Sequence, residues 1–426
     1  MVKKPNIGTT AATSQKLRAR NLALIKRFSV VIVVAAAFAG GFAVRGDDAI
    51  LSVVGLGALA SDPASAMKAQ SSSDSYNSLG YRVGEVERVI NDESLDTFDI
   101  GPATTKTLDA LASATNDPYF RYYDASRYAS LVKDNSEDYA GVGVLFSEYE
   151  GRAYAVDVFE GSAAQASDVR TGDFVVAVDG DRSHDWTGTE VTSALERAAG
   201  QDVVITWRRT ASLDDTGGKE FTTTLPCESS TVKNVTTELY DKVGYIQLKQ
   251  ITNNAAQLVR QAVADLDAQG ASSYVLDVRD NPGGYLTQAV DVASLFVKSG
   301  AIVRVQTKGT DVNTKNATGD SVTDKPLVVL VNGNTSSSAE VLAAALHDNQ
   351  RATLVGQKTL GKGSVQVTRE LSFGGAIRYT AAYYKSPLGH DIDGAGVVPD
   401  VSVGLSDGDD NQKALALETA QSSVVQ

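Results

Sequence analysis

Leu327-Val328-Val329-Leu330-Val331-Asn332-Gly333-Asn334-Thr335-Ser336-Ser337-Ser338-Ala339-Glu340-Val341-Leu342-Ala343-Ala344-Ala345-Leu346 changes character twice within twenty residues. The first five residues are apolar and valine-rich, the pattern of a strand buried on both faces. Asn332-Gly333-Asn334 ends that run with turn formers. From Val341 onward, Leu and Ala make a strong helix former. The stretch therefore reads strand, tight turn, helix, with a cluster of hydroxyls where the helix begins. Unpaired backbone N–H groups and the positive end of the helix dipole converge there.

Farther along stands Gly361-Lys362-Gly363-Ser364-Val365-Gln366, a lysine between two glycines. A serine at an elbow and a lysine on a separate element are the parts of a Ser–Lys dyad. Each part alone has a plainer reading. Ser337 followed by Glu340 fits a capping box, and Gly-Lys-Gly fits a turn with an exposed lysine. The chemistry asks more of the lysine. Its free pKa is near 10.4, so on the order of 0.04% is neutral at pH 7. A general base must be neutral, and burial lowers a lysine pKa by about 3–5 units. The apolar surroundings of Lys362 suit such a site. Gln366, four residues on, shares a face with Lys362 in a strand or a helix and could hold the amine by a hydrogen bond.

A second strand–turn–helix precedes the first by about 50 residues. Residues 273–279 read as a buried strand, Asp280-Asn281-Pro282-Gly283-Gly284 as the turn and residues 286–296 as a helix. Asn-Pro-Gly-Gly is a turn by composition. It also allows the backbone to approach a substrate carbonyl and donate N–H groups to an oxyanion. Residues 242–248 form an entry strand and residues 255–266 an amphipathic helix. The two units suggest an α/β fold with a repeated ββα, crotonase-like core.

Together these segments resemble the C-terminal processing peptidases, or tail-specific proteases. The family pattern is an apolar strand, Asn, a Ser-Ala-Ser-Ala-Ser-Glu run, then a Thr-aromatic-Gly-Lys-Gly/Ala-x-Val-Gln segment about 25 residues after the middle serine. Here the run is Thr-Ser-Ser-Ser-Ala-Glu and Leu360 replaces the aromatic. Glu340 fixes the register and favours Ser337 over Ser336 and Ser338. The resemblance implies a serine endopeptidase with Ser337 as nucleophile, Lys362 as base and Gln366 as its partner, working through an acyl-enzyme without a cofactor. It assigns one oxyanion donor to Gly283 or Gly284, and the other to the backbone of Ser338. It covers roughly residues 83–417, with Pro387-Leu388-Gly389 and Gly396-Val397-Val398-Pro399-Asp400 matching the closing segment.

Residues 138–228 carry short β-like runs at 153–159, 174–178 and 203–208. Ser162-Ala163-Ala164-Gln165-Ala166 and Val169-Arg170-Thr171-Gly172-Asp173-Phe174-Val175 resemble the PDZ signature. That resemblance makes residues 190–199 the groove helix and Gly141, Val142, Gly143 and Val144 the loop gripping a terminal carboxylate. A PDZ groove takes an extended peptide as an added strand. The plainer reading is a small β-barrel with Gly-rich turns. Before it, residues 83–90 and 104–114 read as helices leading to Asp117-Pro118-Tyr119-Phe120, a segment the family shares.

Charge divides the chain. Of 39 Lys and Arg, seven fall in residues 1–27, which hold no acid; 32 remain against 52 Asp and Glu. An acidic body argues against nucleic acid as a partner. Residues 28–44 are apolar and uncharged, and at about 1.5 Å per residue nearly cross a bilayer core. Basic residues ahead of them place the N-terminus in the cytoplasm. We expect a single-pass cell-membrane anchor with the catalytic part outside the cytoplasm; a cleaved signal peptide, giving a secreted protein, is the competitor. One cysteine, Cys227, allows no internal disulfide. The three histidines, His184, His347 and His390, suggest no metal site. The divisions are a basic segment (1–27), anchor (28–44), linker (45–78), N-terminal helical region (79–135), PDZ domain (138–228), peptidase core (229–405) and C-terminal tail or helix (406–426). Partners are polypeptide C-termini and the membrane, with a homodimer and an activating protein left open.

Three other functions compete. A membrane-bound PDZ scaffold with a silent protease fold would keep the groove and lose the dyad. A crotonase-like acyl-CoA enzyme would not need export or a PDZ domain. A Ser-His-Asp hydrolase would need a placed histidine, and His347 lies about 15 Å along the helix from Ser337.

Overall fold

The structure, a computed structural model, describes residues 78–131, 140–195, 197, 199–229, 233–404 and 410–424. The expected anchor at residues 28–44 lies outside the described residues. No helix among the described residues is long and apolar enough to cross a membrane.

The strand Leu327–Val331 sits inside a six-stranded sheet. Its neighbours in order are Val401–Ser402, Thr353–Gly356, Leu327–Val331, Ser273–Asp277, Val243–Leu248 and Val235–Tyr240. All pair in parallel except the last, which returns as an antiparallel hairpin. Both faces are covered, which is why the strand reads as an unbroken apolar run. Leu327, Val329 and Val331 pack among the helices Ala255–Ala268, Leu286–Ser294 and Ser338–Asp348. Val328 and Leu330 face the other way, onto Ala416 and Ala420 of the helix Asn411–Ser422. The C-terminal helix is therefore a layer of the core. Arg279 fastens its start, bridging Asp277 at 2.7 Å and Asp410 at 2.8 Å.

A second sheet runs Arg121–Tyr123, Ala376–Lys385, Ala301–Thr307, Asn313–Asn316, with Ser364–Glu370 also paired to Ala376–Lys385. Its first strand comes from the N-terminal helical region, so that region is woven into the core. Asp117 secures the join: its carboxylate accepts from Thr380 N at 2.7 Å and Thr380 Oγ1 at 2.9 Å. The two helices ahead of it are longer than their sequence pattern suggested, Leu79–Glu93 and Ile100–Ser113.

Residues 140–229 form a separate β-domain. Its five-stranded antiparallel sheet runs in chain order: Val144–Tyr149, Arg152–Val158, Phe174–Val178, Asp202–Arg209, Lys219–Pro226. Helices Ala163–Ala166 and Gly188–Leu195 complete it around Trp207, Ile205, Leu225 and the buried free thiol of Cys227. The strands Ala140–Gly141 and Glu228–Ser229 pair where the chain enters and leaves. The domain lies against the core at the serine turn. Ser147 Oγ and Ser336 Oγ are 3.4 Å apart, and Lys249 meets Asp157 at 2.6 Å.

Candidate active site

The turn after Leu327–Val331 is laced to the turn after Ser273–Asp277. Ser336 N–H donates to the Asn281 carbonyl, and Thr335 Oγ1 to the Val278 carbonyl at 2.8 Å. Asp280 accepts from both Asn332 and Asn334 at 2.8 Å. The two strand–turn–helix units thus meet tip to tip, and the serine cluster stands at the seam.

Within that cluster only one hydroxyl has an outlet. Thr335, Ser336 and Ser338 are fully buried, while Ser337 is half-buried. Ser337 has φ +56° and ψ −125°, a region that costs a residue with a Cβ about 1–3 kcal/mol and persists only when surroundings impose it. The capping box also forms, with Glu340 accepting the Ser337 N–H at 2.9 Å. The plain and the chemical readings of this serine therefore coexist.

Glu340 does more than cap. Its buried carboxylate also accepts from Thr359 Oγ1 at 2.5 Å, Gly361 N at 2.7 Å and Lys362 N at 2.8 Å. One side chain ties the main chain of the serine to that of the lysine. Burial pushes its carboxyl up to about 7, against the pull of these hydrogen bonds. From sequence it served only to set register; nothing local showed that residues 359–362 would fold back onto it.

Lys362 is almost wholly enclosed, with Tyr119's ring 5.1 Å from its amine. Burial pushes its pKa below the ordinary lysine value, and Glu148 pulls the other way. The amine donates to Glu148 Oε2 at 3.2 Å. Among the described residues no hydrogen bond joins it to Ser337. Glu148 comes from the β-domain strand Val144–Tyr149, and Arg378 grips it with two bonds of 2.8 and 2.9 Å. Burial opposes its ionisation, but Arg378 and Lys362 hold its carboxyl well below the usual carboxylate range. Sequence reasoning missed Glu148, Arg378 and Tyr119. All three lie on other elements, and no spacing links them to the serine.

Gln366 departs from the expected geometry. A β-bulge falls between Val365 and Gln366 and breaks the alternation on which the shared-face argument rested. Its amide donates to Ser364 Oγ at 2.9 Å and Thr380 Oγ1 at 3.4 Å, and not to Lys362.

The Gly-Gly turn lies directly against the elbow. At Gly283 (φ +87°) a Cβ would stand 2.8 Å from the Ser336 carbonyl oxygen and the Ser338 nitrogen, and 2.9 Å from Ser337 Cβ. At Gly284 (φ +146°) a Cβ would meet the Ile251 carbonyl oxygen at 2.1 Å. Asn281 shapes this turn: it donates to the Leu248 carbonyl and accepts the Gly283 N–H, both at 2.8 Å. That leaves the N–H groups of Gly284 and Ser338 without an acceptor among the described residues. The loop of Gly141, Val142, Gly143 and Val144 is buried within its own domain. Val142 and Gly143 accept the Ala164 and Phe159 N–H groups there. The histidines serve elsewhere: His184 meets Glu190, and His347 meets Asp400 and Asp348.

The chain is similar to known proteins in sequence and in fold. The profile described as peptidase family S41 matches residues 242–403, which span both turns and Lys362. The carboxyl-terminal-processing protease of Synechocystis sp. is 34% identical over 304 residues, 70% of this chain and 70% of that one. The enzyme of the same name from Picosynechococcus sp. is 35% identical, covering 67% and 69%. Among solved structures, the photosystem II D1 C-terminal processing protease superposes with a TM-score of 0.63 at 27% identity. That match covers 78% of this chain and 88% of that one. With both elbows, the parallel sheet and the serine in place, this chain belongs to the carboxyl-terminal-processing proteases of peptidase family S41, and is a serine peptidase.

Proposed function

We propose that Ser337 is the nucleophile and Lys362 the general base of a Ser–Lys endopeptidase that acts through an acyl-enzyme. The supporting observation is the Glu340 tie. A single buried carboxylate fixes the main chain of a half-buried, strained serine to that of a buried lysine whose burial favours the neutral amine. Neutral Lys362 takes the Ser337 proton as Oγ bonds to the peptide carbonyl carbon. The N–H groups of Gly284 and Ser338 receive the oxyanion, with Gly283 as the close-approach point. The proton passes to the leaving amine, and water releases the acyl group.

The β-domain is the docking module in this reading. Val144–Tyr149 is the edge strand of its sheet, and Gly188–Leu195 packs against it, so a substrate C-terminus can add as a strand there. Residues 28–44 hold the enzyme in the membrane with its catalytic part outside the cytoplasm. One observation favours the scaffold reading: the lysine pairs with Glu148 and not with the serine.

The test is to incubate the chain from about residue 71 onward with an unfolded protein bearing a free apolar C-terminus. Cleavage by it, and none by Ser337→Ala or Lys362→Ala, supports the dyad. Full activity in either variant refutes the corresponding role. A C-terminally amidated substrate cleaved equally well would remove the docking role. Release of the full chain from membranes by carbonate washing would remove the anchor.

A further inference from the structure

We propose that Tyr119 is a positioning residue for Lys362: its ring, set in place by Asp117, closes the solvent side of the amine and keeps water off the base. The inference rests on the reading of Lys362 as base, and it gives the segment Asp117-Pro118-Tyr119 a part in the reaction.

The segment is built to hold one ring still. Pro118 has its φ fixed by its own ring and biases Asp117 toward extended backbone. Pro118 and Tyr119 form the centre of a tight turn, closed by the Phe120 N–H donating to the Asp117 carbonyl at 3.1 Å. The Asp117 carboxylate folds over this turn and accepts the Tyr119 N–H at 3.0 Å. The same carboxylate accepts from Thr380 N at 2.7 Å and Thr380 Oγ1 at 2.9 Å, on the strand that also carries Arg378. Beyond the turn, Arg121–Tyr123 pairs with that strand, Arg121 opposite Arg378. Tyr119 is thereby fastened on both sides to one core strand.

The ring centroid lies 5.1 Å from Lys362 Nζ. The charged groups that act on the amine come from each element packed there: Glu148 from Val144–Tyr149, Arg378 from Ala376–Lys385 and Glu340 from Ser338–Asp348. All three are buried. Asp393 is exposed, but its carboxylate meets the Gly363 N–H. Tyr119 is half-buried, so it is the contact of the amine that borders solvent, while the lysine side chain behind it is 10% exposed. Burial, with Glu148 and Asp393, pushes the Tyr119 hydroxyl well above its ordinary value, so the phenol stays neutral between pH 5 and about pH 10.

The ring has two opposed effects on the lysine. Its π face favours the ammonium, by roughly 0.4–1.5 pH units. Excluding water disfavours the ammonium, by up to about 3–5 pH units for complete burial. The second wins here, since burial is the leading cause that sets Lys362 below the ordinary lysine value. Water in place of the ring would restore part of that basicity and leave less neutral amine at pH 7.

The test is the pH dependence of kcat/KM for the unfolded substrate from about pH 5 to 10, which reports the base of the free enzyme. The full chain is compared with Tyr119→Ala, Tyr119→Phe and Asp117→Asn, with circular dichroism checking each fold. Tyr119→Ala should move the acid limb up by about one pH unit, hence about tenfold slower cleavage below it, with the alkaline plateau kept. Tyr119→Phe keeps the ring and should restore the wild-type limb. Asp117→Asn sets an amide donor against a backbone N–H whichever way it turns. It should move the limb the same way as Tyr119→Ala, and it carries the test should that variant not fold. A rate lowered equally at every pH with the limb unmoved, or a limb moved down, overturns the proposal. So does Tyr119→Phe behaving as Tyr119→Ala. Lys362→Met as active as wild type at every pH would instead overturn the base assignment, which keeps the two failures apart.

Discussion

Replacing Glu340 by Gln removes a buried carboxyl that titrates abnormally, and the size of the effect follows from its surroundings. Burial raises its pKa from 4.5 to about 7. In the unfolded chain it ionises near its ordinary value, so between those limits the folded protein holds a proton that the unfolded one has released. Stability from this group is fully present below about pH 4.5 and declines as pH rises toward 7. About 2.5 units at about 1.4 kcal/mol each make a loss of roughly 3 kcal/mol. Glu340→Gln cannot titrate, so the stability gap between the two proteins should narrow by about that amount from pH 4 to pH 8. Urea unfolding of each on a Ser337→Ala background, which prevents self-digestion, measures it. A gap that is constant with pH, or that widens toward pH 8, would show that Glu340 is ionised at no cost and would refute the reasoning.

Gly283→Ala should lower kcat/KM by at least about 100-fold, because its Cβ would press on the Ser336 carbonyl, Ser338 nitrogen and Ser337 Cβ within 2.9 Å; activity near wild type would separate this turn from catalysis. Asn281→Ala frees the Gly283 N–H and orphans the Leu248 carbonyl, so it should cost about 1–3 kcal/mol by denaturant unfolding and lower kcat more than it raises KM. Arg279→Ala leaves buried Asp277 facing Tyr245 without its cation and loosens the C-terminal helix. A loss of about 3–5 kcal/mol is expected, with faster hydrogen exchange across Asn411–Ser422.

Sequence patterns reached as far as local physics does. The run 327–331 announced a doubly covered strand because both faces of that strand are apolar, and the turn and helix followed from Asn332-Gly333-Asn334 and the alanines. Even so, the cover on its second face, Ala416 and Ala420, comes from a segment with no apolar stripe to advertise it. Ser337 and Lys362 were legible because short motifs surround each. Glu148 was not, since its meaning arises only when a strand of another domain is laid across the lysine. Gln366 shows the opposite failure. Counting residues assumed regular alternation, but Lys362 lies before the strand Ser364–Glu370, and the register of that strand shifts between Val365 and Gln366.

The β-domain begins and ends at one place, where Ala140 stands opposite Ser229 and Gly141 opposite Glu228. The core runs through this point as though the ninety residues between were a detour. It takes Arg121–Tyr123 into its own sheet just before the detour and resumes with Val235–Tyr240 just after it. A body held by two adjoining stems can pivot without pulling on the frame behind it. In evolutionary terms it is a cassette: a lineage could exchange it while the seam between the two turns stays as it is.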